Sequence, residues 1–412
     1  MPDENAPALR AISSLREIER AQWDHLANSG ARRIPTEFES SSELLESVSE
    51  ENSYNPFLSW DFLQALEESG CASVDTGWMP HHLILEQQGE VLAAVPAYLK
   101  NHSQGEYVFD HAWADAIHRA GGRYYPKIQC SVPFTPVTAR KLLVAPEVDQ
   151  GTARQALVSG LVHLADRYNA SSVHLTFMQK PEWDALGELE FLQRTDQQFH
   201  WNNNEYRSFE EFLETLASRK RKALRKERRE ALAHDIEIEW ITGSDIKEHH
   251  WDAFYAFYMD TGARKWGTPY LNRMFFSLLG ERQPEDVLLI MAKRNGRYIA
   301  GALNMIGSDT LYGRNWGCIE HHPFLHFEVC YYQAIDFAIH RGLKRVEAGA
   351  QGSHKLARGY MPNTTYSAHW IAHPSLRNAV ANYLEHERVA VEEDQAYLKE
   401  RGPFKKHQDN ST

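Results

Sequence analysis

Long apolar runs are missing from this sequence. The longest strongly apolar stretch is short, as in Val287–Ala292 (VLLIMA), whereas a membrane span needs about 20 residues. The first residues, MPDENAPALR, carry early acids and no apolar core, so a secretory leader is not expected. Cysteine is scarce: Cys71, Cys130, Cys318 and Cys330 lie apart, with no CxxC pair. That argues against a disulfide framework and for reduced thiols in a cytoplasmic protein. A net positive charge is missing too. At a formal net charge of −12, the chain does not coat nucleic acid non-specifically, and any polyanion contact must be local. There is no P-loop, no dinucleotide fingerprint after a first strand and no GxSxG elbow, which sets aside those phosphate-binding and serine-nucleophile designs.

What is present is a chain of 412 residues with 11 Trp, 18 Tyr and 18 Phe. That length suits two domains, and so many rings suit large cores or aromatic-lined clefts. Residues 1–50 read as a polar lead-in with an opening strand. Residues 51–200 read as a first domain, 201–373 as a second, and 374–412 as a charged helix and tail. In the first domain, SWDFLQALEES is a capped amphipathic helix. His82–Gln87 and Val91–Leu99 form a hairpin, Tyr107–Phe109 is a third strand, Ala153–Tyr168 a helix and Ser172–Phe177 a buried strand. A similar order returns in Val287–Lys293, Tyr298–Ile306, Thr310–Arg314, Phe327–Arg341 and Lys344–Ala348. In each third strand a Tyr precedes a Trp, Tyr107 and Trp113, then Tyr312 and Trp316, so a weak duplication is read. Strands alternating with helices, plus hairpins, imply an α/β fold with a mixed sheet. The C-terminal helix either caps the domain or pairs with another copy.

Five segments carry chemistry. Ser218–Arg229 (SRKRKALRKERR) is basic at eight of twelve positions. It is an ordinary solvated helix or, through Arg221 and Arg225, a surface for a phosphate-bearing donor. Arg264, Lys265 and Trp266, followed by a Gly-x-Pro turn, mix cations with rings as stacking sites do. Tyr312, Arg314 and Trp316 would share one strand face, where an Arg between rings can fork a carboxylate or phosphate. His326 and Glu328 open an otherwise apolar helix, and a carboxylate there orients an amine or accepts its proton. The fifth segment, Glu347 to Pro362, follows a buried strand with glycines that permit a tight loop, and crowds Glu347, Gln351, His354, Lys355, Arg358 and Tyr360 together. His354 suits acid–base work near neutral pH. Cys318, His321, His322, His326 and Cys330 cluster as well, but without a standard zinc spacing, so no metal is assigned.

Taken together, RKWGTPYL (264–271), LYGRNWG (311–317), LHFEVCYYQ (325–333), EAGAQGSHKLARGYMP (347–362) and SAHWI (367–371) resemble the FemAB-like family of predicted N-acyltransferases, also labelled peptidoglycan biosynthesis or recognition proteins. The resemblance spans roughly residues 10–385. It implies tandem acetyltransferase-like (GNAT-like) α/β domains, and an acyl or aminoacyl group moved from an activated donor to a small-molecule or peptide amine. The donor, a co-substrate in place of a resident cofactor, would be an aminoacyl-tRNA or an acyl-CoA; tRNA would give the basic segment its role. The stretch after Trp316, GCIEHHPFLHFE, lacks the glycine-rich turn with which coenzyme-A-dependent relatives bind pyrophosphate on backbone amides. On this reading Glu347, His354 and Glu328 are the catalytic candidates. Arg264, Lys265, Trp266, Tyr312, Arg314, Trp316, His326, Gln351, Lys355, Arg358 and Tyr360 bind substrate. The alternative is a peptide- or glycan-binding module of the same fold without chemistry. Oligomeric state is not legible.

Overall fold

The computed structural model describes residues 6–29, 53–265, 269–349 and 352–405. Its strands are β1 (Ala8–Ile12), β2 (Trp78–Pro80), β3 (His82–Gln87), β4 (Glu90–Val95), β5 (Ala97–Lys100), β6 (Lys127–Cys130), β7 (Leu143–Val144), β8 (Ser172–Met178), β9 (Leu192–Asn202), β10 (Ile236–Thr242), β11 (Val287–Arg294), β12 (Arg297–Ile306), β13 (Thr310–Cys318), β14 (Arg345–Glu347) and β15 (Met361–Ile371). Eleven of them form one mixed sheet in the order β10-β11-β12-β13-β14-β9-β15-β8-β6-β5-β2, and β1-β3-β4-β7 form a second sheet of four. The fold is the expected α/β class. Most of the Ser- and Glu-rich lead-in, residues 30–52, lies outside the described residues.

The duplication is real at the level of pairing. In the first half β5 pairs antiparallel with β6, and β6 parallel with β8, across the helix Gln150–Tyr168. In the second half β12 pairs antiparallel with β13, and β13 parallel with β14, across the helix Gln333–His340. The Tyr–Trp correspondence read from sequence does not hold. Tyr107 lies in a loop at φ 61° and Trp113 in the helix His111–Arg119; β6 is the third strand. A buried charge explains the difference. Lys127 Nζ at the start of β6 draws in Glu106 Oε2 at 2.6 Å and Ser103 Oγ at 2.9 Å, and also bonds Asp110. The residues around Tyr107 therefore fold over β6 in place of joining the sheet, because an unpaired buried lysine would cost more than a short strand could return.

The two halves exchange strands. β9, the last strand of the first half, pairs with β14 of the second. β15, the last strand of the second half, lies between β9 and β8. The boundary read near residue 200 thus falls within the C-terminal end of β9. Helices cover both faces. One core joins Phe57, Leu63, Trp251, Phe275 and Phe276 to Leu303 and Tyr312; another joins Trp201, Phe212, Leu224, Val329 and Tyr332 to Ala302 and Val346. The C-terminal helix Pro374–Glu400 is a cap. Its Leu376, Val380 and Leu384 pack with Trp113, Ile117, Tyr124 and Ile371, and Glu387 takes a side-on pair of bonds at 2.7 and 2.8 Å from Arg194. Burying each such aliphatic side chain contributes about 1.5–3 kcal/mol. Among the described residues no helix is long and apolar enough to cross a membrane, and no group of three His, Cys, Asp or Glu side chains could hold a metal ion.

Because β9 and β15 each complete the other half's sheet, neither half has a closed core alone. Calorimetry should give one cooperative unfolding transition. Fragments separated in the turn after β9 should be unfolded singly and regain structure on mixing; two independent transitions would contradict the exchange.

Candidate active site at the parting of two parallel strands

The site begins with a short pairing. β13 and β14 run parallel only over Thr310–Tyr312 and Arg345–Glu347. β14 then ends and the backbone turns at Gly349 (φ 73°), while β13 continues to Cys318 against β12. The strands part just beyond Tyr312 and Glu347. Gly313 sits at the fork, where a Cβ would lie 3.3 Å from the Glu347 carbonyl oxygen, so a side chain would wedge the strands apart. Breaking a sheet's pairing at its centre leaves backbone groups and side chains of two strands facing an opening, which is where open α/β sheets bind ligands.

A bulge sorts the side chains there. Asn304 pairs with Gly313 and Leu303 with Asn315, so Arg314 is the extra, unpaired residue. An extra residue shifts the alternation beyond it by one. Tyr312 and Trp316 therefore point to opposite faces: Tyr312 enters the core with Phe57, and Trp316, paired with Ala302, packs on the other core. The expectation that Tyr312, Arg314 and Trp316 share one face is corrected by this bulge, which sequence alternation cannot anticipate.

On the first face lie Tyr312, Arg314, Glu347 and His200. Tyr312 meets Phe57 edge-on at 5.3 Å, and the Arg314 guanidinium lies 5.1 Å from the centre of that same ring. Glu347 pairs in register with Tyr312 on one side and His200 on the other. His200 Nε2 is 4.0 Å from Glu347 Oε1 and 3.3 Å from Gln198 Oε1. Burial, then the nearby charges of Arg345, Arg314 and Lys355, push the His200 imidazole down to about 3, so it is neutral at physiological pH. Burial also draws the Arg314 guanidinium below its ordinary value, opposed by Glu347, Tyr107 and Tyr312. A cleft of about 530 Å³ between the halves, lined by Tyr312, Glu347, Asn202, Arg345, Arg140 and Lys180, opens on this face.

On the second face lie Trp316, His326, Glu328, His354, Arg358 and Tyr360. His326 packs on Trp316 with ring centres at 5.1 Å. His354 Nε2 is hydrogen-bonded to the Tyr331 hydroxyl at 3.0 Å, and the Tyr360 hydroxyl donates to the Tyr331 carbonyl at 3.2 Å. Residues 328–332 form a single wider π-helical turn between Leu325–Phe327 and Gln333–His340, a feature common at functional sites. The far end of the basic helix Ser218–Ala231 fastens this turn. Arg228 donates through Nη2 and Nε to the two oxygens of fully buried Glu328 at 2.8 and 3.1 Å, and also to Asp336 at 2.7 Å. Glu227 binds the Tyr332 hydroxyl and takes a bond from Arg358 Nη2 at 2.7 Å. Arg358 stacks 3.4 Å from the centre of the Phe327 ring. Lys355 lies between the faces. Its Nζ donates to the carbonyls of Ala348 and Gly349, and burial pulls its pKa down to about 8.

The expected site residues thus gather around one parting of the sheet but on both of its faces, rather than in one pocket. Glu328, read as a catalytic candidate, is held by Arg228 and by Gln333 at 2.8 Å. Arg221 is half-buried, and Arg225 is bonded to Glu210. The side chains of Arg264 and Lys265, and all of Trp266 and Gln351, lie outside the described residues. Sequence reading missed His200, Phe57, Tyr107, Arg228 and Tyr331. The one available signal for His200 was a polar residue between two aromatics, Phe199 and Trp201, in an otherwise half-buried strand.

The FemAB-like family, described as peptidoglycan biosynthesis/recognition, matches residues 14–406. No curated protein matches significantly. Among solved structures, FemX is similar at 12% identity over 78% of this chain and 93% of its own, with a TM-score of 0.48. The C-terminal domain of a putative lysylphosphatidylglycerol synthetase from Agrobacterium fabrum is similar at 10% identity over 77% and 95%, with a TM-score of 0.49. A tandem GNAT protein from the clavulanic acid biosynthesis pathway is similar at 12% over 89% and 98%, with a TM-score of 0.43. At these identities and TM-scores the likenesses carry no argument about this chain. The family match covers nearly the whole chain and includes every strand from β2 to β15, and on that ground the chain belongs to the FemAB-like peptidoglycan biosynthesis/recognition family.

Proposed function

We propose that this chain transfers an acyl or aminoacyl group from an activated donor to an amine held where β13 and β14 part. Family membership supports the reaction class, and the carrying observation is the buried Glu347 beside neutral His200 at the fork. An amine arrives as an ammonium ion and must lose a proton before it can attack. Glu347 is the base on this reading: its carboxylate holds the ammonium and takes one proton, the freed amine attacks the acyl carbon, and the second proton that nitrogen sheds passes towards the leaving group. His200, uncharged and 4.0 Å from Glu347 Oε1, flanks the carboxylate without competing for that proton. The C–O or C–S bond to the donor breaks, and the leaving group takes up a proton. Lys355, its ammonium held at the fork by two carbonyls, faces negative charge developing on the acyl oxygen. Holding donor and amine together supplies the remaining acceleration.

The second face serves the donor on this reading. Arg219, Lys220 and Lys222 are exposed at the start of the basic helix, whose other end anchors the π-helical turn. They favour a polyanionic donor such as an aminoacyl-tRNA over a short one. His354, joined to Tyr331, is a positioning residue there, and Glu328 with Arg228 is the brace.

Three expectations follow from these roles. Incubation with charged tRNA, with acyl-CoAs and with pooled amines should yield an acylated amine by mass spectrometry; no product from either donor class would sink the transferase reading. Glu347→Gln should lower turnover on the order of 100-fold or more, as loss of a general base does, with the melting temperature nearly unchanged. Arg228→Met should do the reverse, costing about 3 kcal/mol of stability because it strands the buried Glu328 charge. The pH profile carries the third. Lys355 is a cation below about 8 and loses its charge above it, so kcat/KM should fall as pH rises through that value. Lys355→Arg, with a guanidinium that stays protonated, should move the falling limb upward; an unmoved limb would remove Lys355 from the reaction.

A further inference from the structure

We infer that the amine acceptor also carries a carboxylate, and that Arg314 receives it side-on at the parting of β13 and β14. The inference rests on the acyl-transfer reading and narrows its acceptor to the amino-acid class.

One edge of the Arg314 guanidinium is unsatisfied. Nε and Nη2 of Arg314 are both buried, and neither has a hydrogen-bond partner among the described residues. Those two nitrogens form one edge of the guanidinium, the edge that matches the two oxygens of a carboxylate. Elsewhere in this chain that edge is filled in just this way. Arg228 grips Glu328 through Nε and Nη2 at 3.1 and 2.8 Å, Arg194 grips Glu387 at 2.8 and 2.7 Å, and Arg10 grips Glu86 at 2.9 and 3.1 Å. Arg314 presents the same edge without a carboxylate.

Its surroundings suit a bound ligand better than a structural ion pair. Leaving a buried charged donor unsatisfied is unfavourable, and natural proteins retain such groups mainly where they have a task. The bulge places Arg314 outside the ladder's pairing, which frees it from the strand's alternation. Phe57 covers one flat side of the guanidinium. Tyr107, close enough to influence it, is held at φ 61°, a strained conformation for an aromatic residue. Glu347 lies one strand over on the same face, in register with Tyr312, two residues before Arg314. An anion-binding arginine and an ammonium-binding carboxylate are therefore set one strand and two residues apart, roughly 8 Å between their Cα atoms in regular strands, complementary in sign to the two ends of an amino acid.

The test is binding to the free full-length chain without donor, read by saturation-transfer NMR and calorimetry. The probes are pools of amino acids and dipeptides with free carboxylates, and the same compounds as C-terminal amides. Carboxylate forms should bind at least tenfold more tightly than amides. Arg314→Lys should erase that preference, since an ammonium keeps the charge but loses the fork. Arg314→Gln should leave the melting temperature unchanged or raise it, because it removes an unpartnered buried charge. Equal binding of acids and amides, no binding of any carboxylate, or a loss of more than about 5 °C in Arg314→Gln overturns the inference. The two readings separate cleanly. Acylation of simple amines at undiminished kcat/KM in Arg314→Gln would leave transfer standing and remove the carboxylate. Selective carboxylate binding with no acylation of any bound amino acid would support the Arg314 site and remove transfer.

Discussion

The structure depends on an exchange of strands. β14 is three residues long, and a strand that short cannot hold its place at a sheet edge. β9 from the other half pairs along it, and β15 closes behind β9. The exchange turns two incomplete half-sheets into one sheet with two of its shortest pairings, those of β14, near the middle. There, β13 and β14 can part without unravelling, because each is held on its outer side by a longer partner. The same exchange delivers His200 from the first half to Glu347 of the second. The site is thus a product of both halves, and its rigidity comes from backbone pairing rather than from loops.

Two further devices shape the opening. The bulge at Arg314 divides a run of motif residues between the two faces, which in the proposed function meet the acceptor on one side and the donor on the other. The Arg228–Glu328 brace sits at the second face and ties the basic helix to the π-helical turn. Removing a buried carboxylate from water is unfavourable, and a side-on arginine with good geometry is among the few partners that offset it. The basic helix is therefore part solvated surface and part anchor: Arg219 and Lys220 face water while Arg228 is inserted.

Much of the fold was legible from periodicity and punctuation. The hairpins, the long helix near 150–168 and the C-terminal cap follow from hydrophobic spacing and turn residues, except that the strand read as Val91–Leu99 is broken at Pro96 into β4 and β5, which join different sheets. The parallel pairs were legible as buried strands after helices. Tyr107–Phe109 was misread because three apolar-looking residues resemble a strand, while the buried lysine that folds them over β6 is distant in sequence. In the site, the residue types were legible and their arrangement was not. Alternation puts Tyr312 and Trp316 on one face, and a single extra residue undoes it. Glu328 looked free to titrate, since its partner Arg228 lies a hundred positions away. His200 was invisible as a site residue because it enters through the strand exchange, a long-range pairing with no local signature.

The central claim is that chemistry occurs where β13 and β14 part, and hydrogen exchange on the full-length chain tests it most directly. Amide protection would be followed on adding non-transferable analogues of the two donor classes, a thioether acyl-CoA and an amide-linked aminoacyl-tRNA, each with excess amine. The account predicts new protection in 198–202, 310–318 and 345–349 with one of them. Protection confined to the β10 edge or the C-terminal helix, with those three segments unchanged, would contradict it.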